Sequence, residues 1–168
     1  MSEMEEKTAE ALQPLIGLRL CLAKTSGDLR AFHFGEARRD VHTFMGDYAL
    51  HLSCPWRLQS RDKIVTGSAD HYERAEHNND PAWEPGMVWG TYQEKALRQV
   101  LGCPDSEPDV CVNSTPLLVV ESVRSDPFGG AEISLSGGYQ LVIFPSGARG
   151  EKWRLLPPGE AHHFVVSG

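Results

Sequence analysis

Long apolar runs are missing from this sequence, and so is any concentration of positive charge. No stretch approaches the roughly 20 apolar residues that span a bilayer, so no membrane helix is expected. The first residues, MSEMEEKTAEALQ, are acidic where a secretory leader is basic and then apolar, which predicts a cytoplasmic protein. Sixteen Lys and Arg stand against 23 Asp and Glu, for a net charge of -7, and only Arg38 and Arg39 are adjacent. A scattered minority of cations cannot track a phosphate backbone, so a nucleic-acid partner is not expected; an acidic surface suits a basic protein instead.

Reaction signatures are also absent. The chain carries no GxSxG, Walker A, GxGxxG or HExxH pattern, so nothing points to the common hydrolase, nucleotide or zinc-protease chemistries, and no cofactor is implied. GARGEK at 147–152 has glycines but no Lys-Ser/Thr ending, and reads as a turn. Four cysteines, Cys21, Cys54, Cys103 and Cys111, lack CxxC spacing and are expected to be thiols. Cys21 and Cys54 fall in strand-like segments and read as small core residues. Cys103 and Cys111 flank the acidic CPDSEPDVC, which would raise a thiol's pKa and disfavour a nucleophile.

What is present is pattern. Glu3, Glu5 and Glu6 suit the positive end of a helix dipole, and Pro14 and Gly17 should end a helix over 3–13. Strands are predicted at 18–23 and 29–35 with a TSGD turn at 25–28 between them. Another follows through Tyr48, Leu50 and Leu52, with a bulge, edge or corner at Cys54-Pro55 because Pro55 has no N–H to give the ladder. Trp56 and Leu58 resume the apolar face, and KIVTGS adds a short strand. Residues 67–90 show no period and read as a long loop, functional or mobile. The best helix is 91–102, with Thr91 and Glu94 at capping-box spacing, a Leu97, Val100, Leu101 stripe, and Gly102 to stop it. Residues 103–116 read as a linker, and LLVVESV, AEISLS, GGYQLVIF, KWRLL and HHFVVSG as a closing antiparallel meander.

Two of these segments nearly coincide. GDYALHLSCPWRL at 46–58 and GGYQLVIFPSGARGEKWRLL at 137–156 both spell Gly-x-Tyr-x-Leu and then Trp-Arg-Leu, and each leads to a last strand, KIVTGS or HFVVSG. The predicted architecture is therefore an α+β single domain over 1–168. Its mainly antiparallel sheet is built from two related multi-stranded halves, 18–68 and 117–168, which are linked by the loop and central helix of 69–116; an amino-terminal helix precedes them. Tyr48, Trp56, Tyr139 and Trp153 are expected in the core. With VESV and the terminal HFVV, these motifs resemble a family of small bacterial proteins of unassigned function. That resemblance implies one compact domain, covers most of the chain outside the first helix and the 69–90 loop, and transfers no residue role.

Candidate site residues follow from residue type. Arg57 and Arg154, one past each Trp, should lie on the outward face, either solvated or ion-paired across strands, or as a symmetric pair holding a carboxylate or phosphate. Trp83 and Trp89, in a polar loop, are candidate hot spots for a protein partner. Asp70, His71 and His77 share that loop and have ligand types that suit a divalent metal, with Asp80 and one of His162 and His163 as further donors. The leading expectation is a non-enzymatic, cytoplasmic protein-binding module, similar in general character to immunity proteins that neutralise toxins. The alternative is a small-molecule or metal-dependent enzyme with Arg57, Arg154, His51, Asp70 and His71 converging between the two sheet halves.

Overall fold

Ser2 opens the first helix by accepting a hydrogen bond from the Glu5 amide while the Glu5 carboxylate reaches back to the Ser2 amide, a complete capping box. The computed structural model describes residues 1–27, 29–87, 89–103, 110–159 and 162–168. In it α1 spans Glu3–Leu12, and a 3-10 turn through Pro14 ends it. Leu12 and Leu15 are fully buried, and the Ser125 hydroxyl donates to the Glu5 carbonyl at 2.8 Å, tying the helix to the sheet below.

Among the described residues thirteen strands follow: β1 Leu20–Ser26, β2 Leu29–Phe34, β3 Arg38–Arg39, β4 Phe44–Met45, β5 Tyr48–Leu52, β6 Trp56–Gln59, β7 Ile64–Gly67, β8 Val110–Val112, β9 Val120–Ser125, β10 Ala131–Leu135, β11 Tyr139–Ile143, β12 Glu151–Leu156 and β13 Phe164–Ser167. The second helix, α2, is Tyr92–Leu101. All pairings of the named strands are antiparallel, in a six-stranded sheet ordered β13-β12-β5-β2-β1-β8 and a five-stranded sheet ordered β7-β6-β11-β10-β9. The fold is thus α+β, with an amino-terminal and a central helix as predicted. Among the described residues no helix is long and apolar enough to cross a membrane.

The halves do not each make their own sheet. β1, β2 and β5 enter the larger sheet and β6 and β7 the smaller; β9, β10 and β11 enter the smaller and β12 and β13 the larger. The exchange happens at the Ser53–Pro55 corner, where the Ser53 amide still donates to Lys152 in one sheet and the Pro55 carbonyl already accepts from Phe144 in the other. Local periodicity defines a strand's faces but not its partner, which is why this interlocking was not legible.

Registers repeat between the halves. Trp153, Arg154 and Leu155 pair with Leu52, His51 and Leu50, just as Trp56, Arg57 and Leu58 pair with Ile143, Val142 and Leu141. Phe34 faces Tyr48 as Leu135 faces Tyr139. Even the bulges match: β1 skips Cys21 between Leu20 and Leu22, and β9 skips Glu121 between Val120 and Ser122. The two halves meet at an Arg19–Val119 bridge, flanked by reciprocal 2.8 Å bonds from Leu20 to Leu118 and from Val120 to Leu18.

Inward side chains from both sheets fill one core, with Phe32 edge-on to Trp56 at 5.2 Å and the Trp153 indole donating to the Gly129 carbonyl at 2.8 Å. Trp56 and Trp153 are buried as predicted, Tyr48 and Tyr139 partly so. The repeated glycine serves two purposes. Gly46 lets the 35–47 arm lie against the larger sheet, since a Cβ there would come within 2.7 Å of His33 Cβ and 2.8 Å of Cys21 Sγ. Gly137 instead turns the β10–β11 hairpin at a φ of +88°.

Two local expectations change. Residues 104–109 of the predicted 103–116 linker, and Asp28 of the predicted turn, lie outside the described residues. The rest of that linker contains β8, whose Val110, Cys111 and Val112 pair with Lys24, Ala23 and Leu22. Cys103 and Cys111 are not thiols but a disulfide, Cα–Cα 5.5 Å, which fastens β8 to the end of α2. The remaining pair, Cys21 and Cys54, are buried thiols as predicted, and burial pushes each up to about 11.

Candidate functional site

The segment between the half-repeats folds back on one end of the sandwich. Its first turn, Ser68–Asp70, is closed by the Asp70 carboxylate, which accepts from the Thr66 hydroxyl at 2.9 Å and the Gly67 amide at 3.3 Å. Beyond it, residues 73–75 run against 90–92: the Tyr92 amide donates to Glu73, the Ala75 amide to Gly90, and Arg74 bridges Thr91. The two ends of the aperiodic stretch are therefore tied together by backbone bonds that no side-chain period announces.

Trp83 is its anchor. It is only 8% exposed, its indole donates to the Trp89 carbonyl at 2.7 Å, and the Arg74 guanidinium covers its ring at 5.4 Å. The expectation that Trp83 offers itself to a partner is corrected by this burial; Trp89, at 38%, is the exposed one of the pair, with Tyr72 at 55% and Tyr92 at 41% on the neighbouring segments.

Thr91 caps α2 by accepting from the Glu94 amide, and the helix stops at Gly102, both as predicted. Its buried face is less apolar than the predicted stripe, because Gln93 and Arg98 join Ala96, Leu97 and Leu101. Arg98 pairs with Glu94 at 3.0 Å, and burial nonetheless raises the Glu94 carboxyl above its usual range. Gln93, 1% exposed, donates to the Gly67 carbonyl at 2.9 Å and accepts from Arg30, whose Nε lies 3.0 Å from Gln93 Oε1. Arg30 is itself 7% exposed and lines a cavity of about 220 Å³ with Ser53, Cys54, Trp56, Ser68 and His71. Sequence reasoning missed Arg30, although the alternation of LRAFHF puts it on the same face as Phe32 and Phe34, the core face. An arginine in phase with core aromatics was the available signal.

The other predicted residues are dispersed. Arg57 and Arg154 occupy equivalent positions but different sheets, each on the face opposite its buried Trp. Arg57 donates to Gln59 at 2.7 Å and lines an open pocket of about 550 Å³ with Arg124, Glu132 and Phe144. Arg154 makes two bonds to Glu151, at 2.6 and 2.7 Å, and meets His163 at 3.0 Å. They do not form a joint site, and inward residues of both sheets between them pack into one core. Nor do Asp70, His71 and His77 converge: Asp70 closes its turn, His71 packs edge-on to Tyr72 at 4.6 Å, His77 is exposed, and no described group of three His, Cys, Asp or Glu could hold a metal ion.

Two histidines lie on the outer face of the larger sheet. His33 is buried under the 35–47 arm, where its Nδ1 accepts from the Gly46 amide at 3.0 Å and burial, helped by Lys24 and His51, drives its pKa down to about 3. His51 is also lowered, by burial and then by Arg154 and His163. No protein-family model, characterised protein or solved structure matches this chain.

Proposed function

We propose that the protein is a non-enzymatic protein-binding module of the cytoplasm, immunity-like in using an acidic surface against a basic partner. One observation carries this reading: a loop, tied at its ends and anchored from beneath by Trp83, presents Trp89, Tyr72 and Tyr92 partly exposed. Aromatic side chains on a pre-organised loop lose little entropy on binding and dominate interface energetics. Between residues 67 and 90 the chain carries five carboxylates and one arginine, so the rim of such a contact is negative and would steer a cationic partner. Duplication of one strand unit accounts for the scaffold: the matching registers and bulges support descent of the two halves from a common segment, with the loop and α2 inserted between them.

The test is capture of partners from the native cytoplasm on tagged wild-type protein, Trp89→Ala and Arg57→Ala in parallel. A basic protein that wild type and Arg57→Ala retain, that elutes as salt rises, and that Trp89→Ala loses, is the expected result. A partner retained equally by all three removes the loop from the account.

A further inference from the structure

Arg30 is a nearly buried cation that makes no salt bridge with any described carboxylate. It faces inward with Phe32 and Phe34 and pairs across the sheet with Leu52, while the equivalent position in the second half is Ala131, opposite Ile143. Its Nε and Nη2 both go to one neutral acceptor, Gln93 Oε1. Its Nη1 donates to no described protein atom, and the guanidinium makes no ion pair with any described carboxylate. Glu94 attracts it electrostatically, but forms no salt bridge with it and gives one oxygen to Arg98 at 3.0 Å. Burying a charge this way is strongly unfavourable unless something compensates it, and a hydrophobic side chain of similar length would be the more stable occupant.

The compensation has a place to sit. Arg30 lines the cavity of about 220 Å³, several times the volume of a water molecule and too small for a nucleotide or drug-sized ligand. Around it are the hydroxyls of Ser53 and Ser68, the imidazole of His71 and the amide of Gln93, and exposed Ser53 with half-buried His71 leaves a way in from solvent. His71 and Gln93 belong to the segment between the half-repeats and Ser68 is the last residue of the first half, so the cavity lies where that segment folds back on the sandwich.

We propose that Arg30 anchors a binding site for one compact oxyanion, a carboxylate or phosphate group, seated between Ser53, Ser68 and His71. The guanidinium offers a charged, planar donor to such a group, and the hydroxyls offer neutral ones. Burial lowers the Arg30 pKa to about 10, which leaves it cationic at neutral pH. The site is independent of the protein-binding reading, since it uses no exposed aromatic; the anion's source is either a free small molecule or a carboxylate carried by a partner.

Arginine Nε–H NMR signals of the 15N-labelled full chain, titrated at constant ionic strength with acetate, inorganic phosphate, and a short peptide ending in a free or an amidated carboxyl, test this. The expected result is a saturable shift of the Arg30 signal, absent with chloride. Saturation by acetate or phosphate identifies a free oxyanion; saturation by the free-carboxyl peptide alone identifies a partner's carboxylate. Arg30→Met should fold and lose the effect, and His71→Ala, which leaves the core intact, should weaken binding about tenfold if its ring donates to the anion. The wild-type melting temperature should rise by about 5–10 °C at a hundredfold excess over the dissociation constant. No saturable Arg30 shift with any of the four probes, or a ligand-induced rise in melting temperature that is unchanged in Arg30→Met, would overturn the proposal.

Discussion

His33 makes stability depend on pH in a way that can be worked out. The ring is buried beneath the 35–47 arm, accepts a hydrogen bond from Gly46, and so must stay neutral; its pKa falls from the ordinary 6.5 to about 3. A histidine whose folded pKa is depressed binds its proton more readily in the unfolded chain, so its contribution is complete above about pH 6.5 and is lost as the pH falls toward 3. Each pH unit in that window costs about 1.4 kcal/mol, or about 2.7 kcal/mol between pH 6.5 and 4.5, a large part of the 5–15 kcal/mol that holds a typical domain together. His51 titrates with the same sign, so the clean measurement is a difference. Urea unfolding of wild type and His33→Asn, whose amide oxygen can still accept from Gly46, should be compared at pH 7.0, 5.5 and 4.5. The wild type should lose stability more steeply, by about 1.4 kcal/mol per unit, with the gap opening only below pH 6.5. Parallel losses in the two proteins would refute the idea that His33 is held neutral.

Reduction of the Cys103–Cys111 bond, which closes a loop of sequence separation 8, should lower stability by about 2.5 kcal/mol on the chain-entropy scale, read as a melting shift of about 5–10 °C with and without reductant. Trp153→Ala removes a fully buried indole and its bond to Gly129 and should cost about 3–5 kcal/mol in denaturant unfolding, whereas Arg57→Ala, exposed and bonded to Gln59, should stay within about 0.5 kcal/mol. Trp83→Ala should speed amide hydrogen exchange of the Ala75 amide, which the folded loop ties to Gly90, while leaving β5 and β11 protected; uniform acceleration everywhere would mean that the loop is part of the cooperative core.

Strands and helix caps could be read from the sequence because each rests on local chemistry. Period-two alternation marks Tyr48–Leu52 and Ala131–Leu135, Thr91 with Glu94 and Gly102 bounds α2, and Pro55 marks a corner. What stayed hidden depends on contacts between distant residues. Nothing local tells which of Trp83 and Trp89 goes inward; that is decided by the Arg74 side chain and by a carbonyl six residues along. The Cys103–Cys111 pairing follows from β8 lying beside β1, and β8 is only three residues long, too short to show a period. Arg57 and Arg154 were correctly placed opposite their tryptophans, but their symmetry in the chain became separation in space, because equivalent strands of the two halves belong to different sheets.

Where the halves differ is therefore more informative than where they agree. Shared features, Trp56 with Trp153, Phe32 with Ile133, and the bulges at Cys21 and Glu121, belong to the strand unit that the two halves have in common. Two inequivalent pairs have no such explanation. His33 stands where the second half has Ser134, and the 35–47 arm covers it; Arg30 stands where the second half has Ala131, and the inserted segment covers it. In both places a residue poorly suited to burial has been enclosed by chain that the other half lacks. A scaffold needing only stability would have used Ala and Ser twice, as its second half does. Enclosing a cation at one site and a neutral imidazole at the other makes the first half the one to probe for ligand and pH response, and leaves the second half as its structural counterpart.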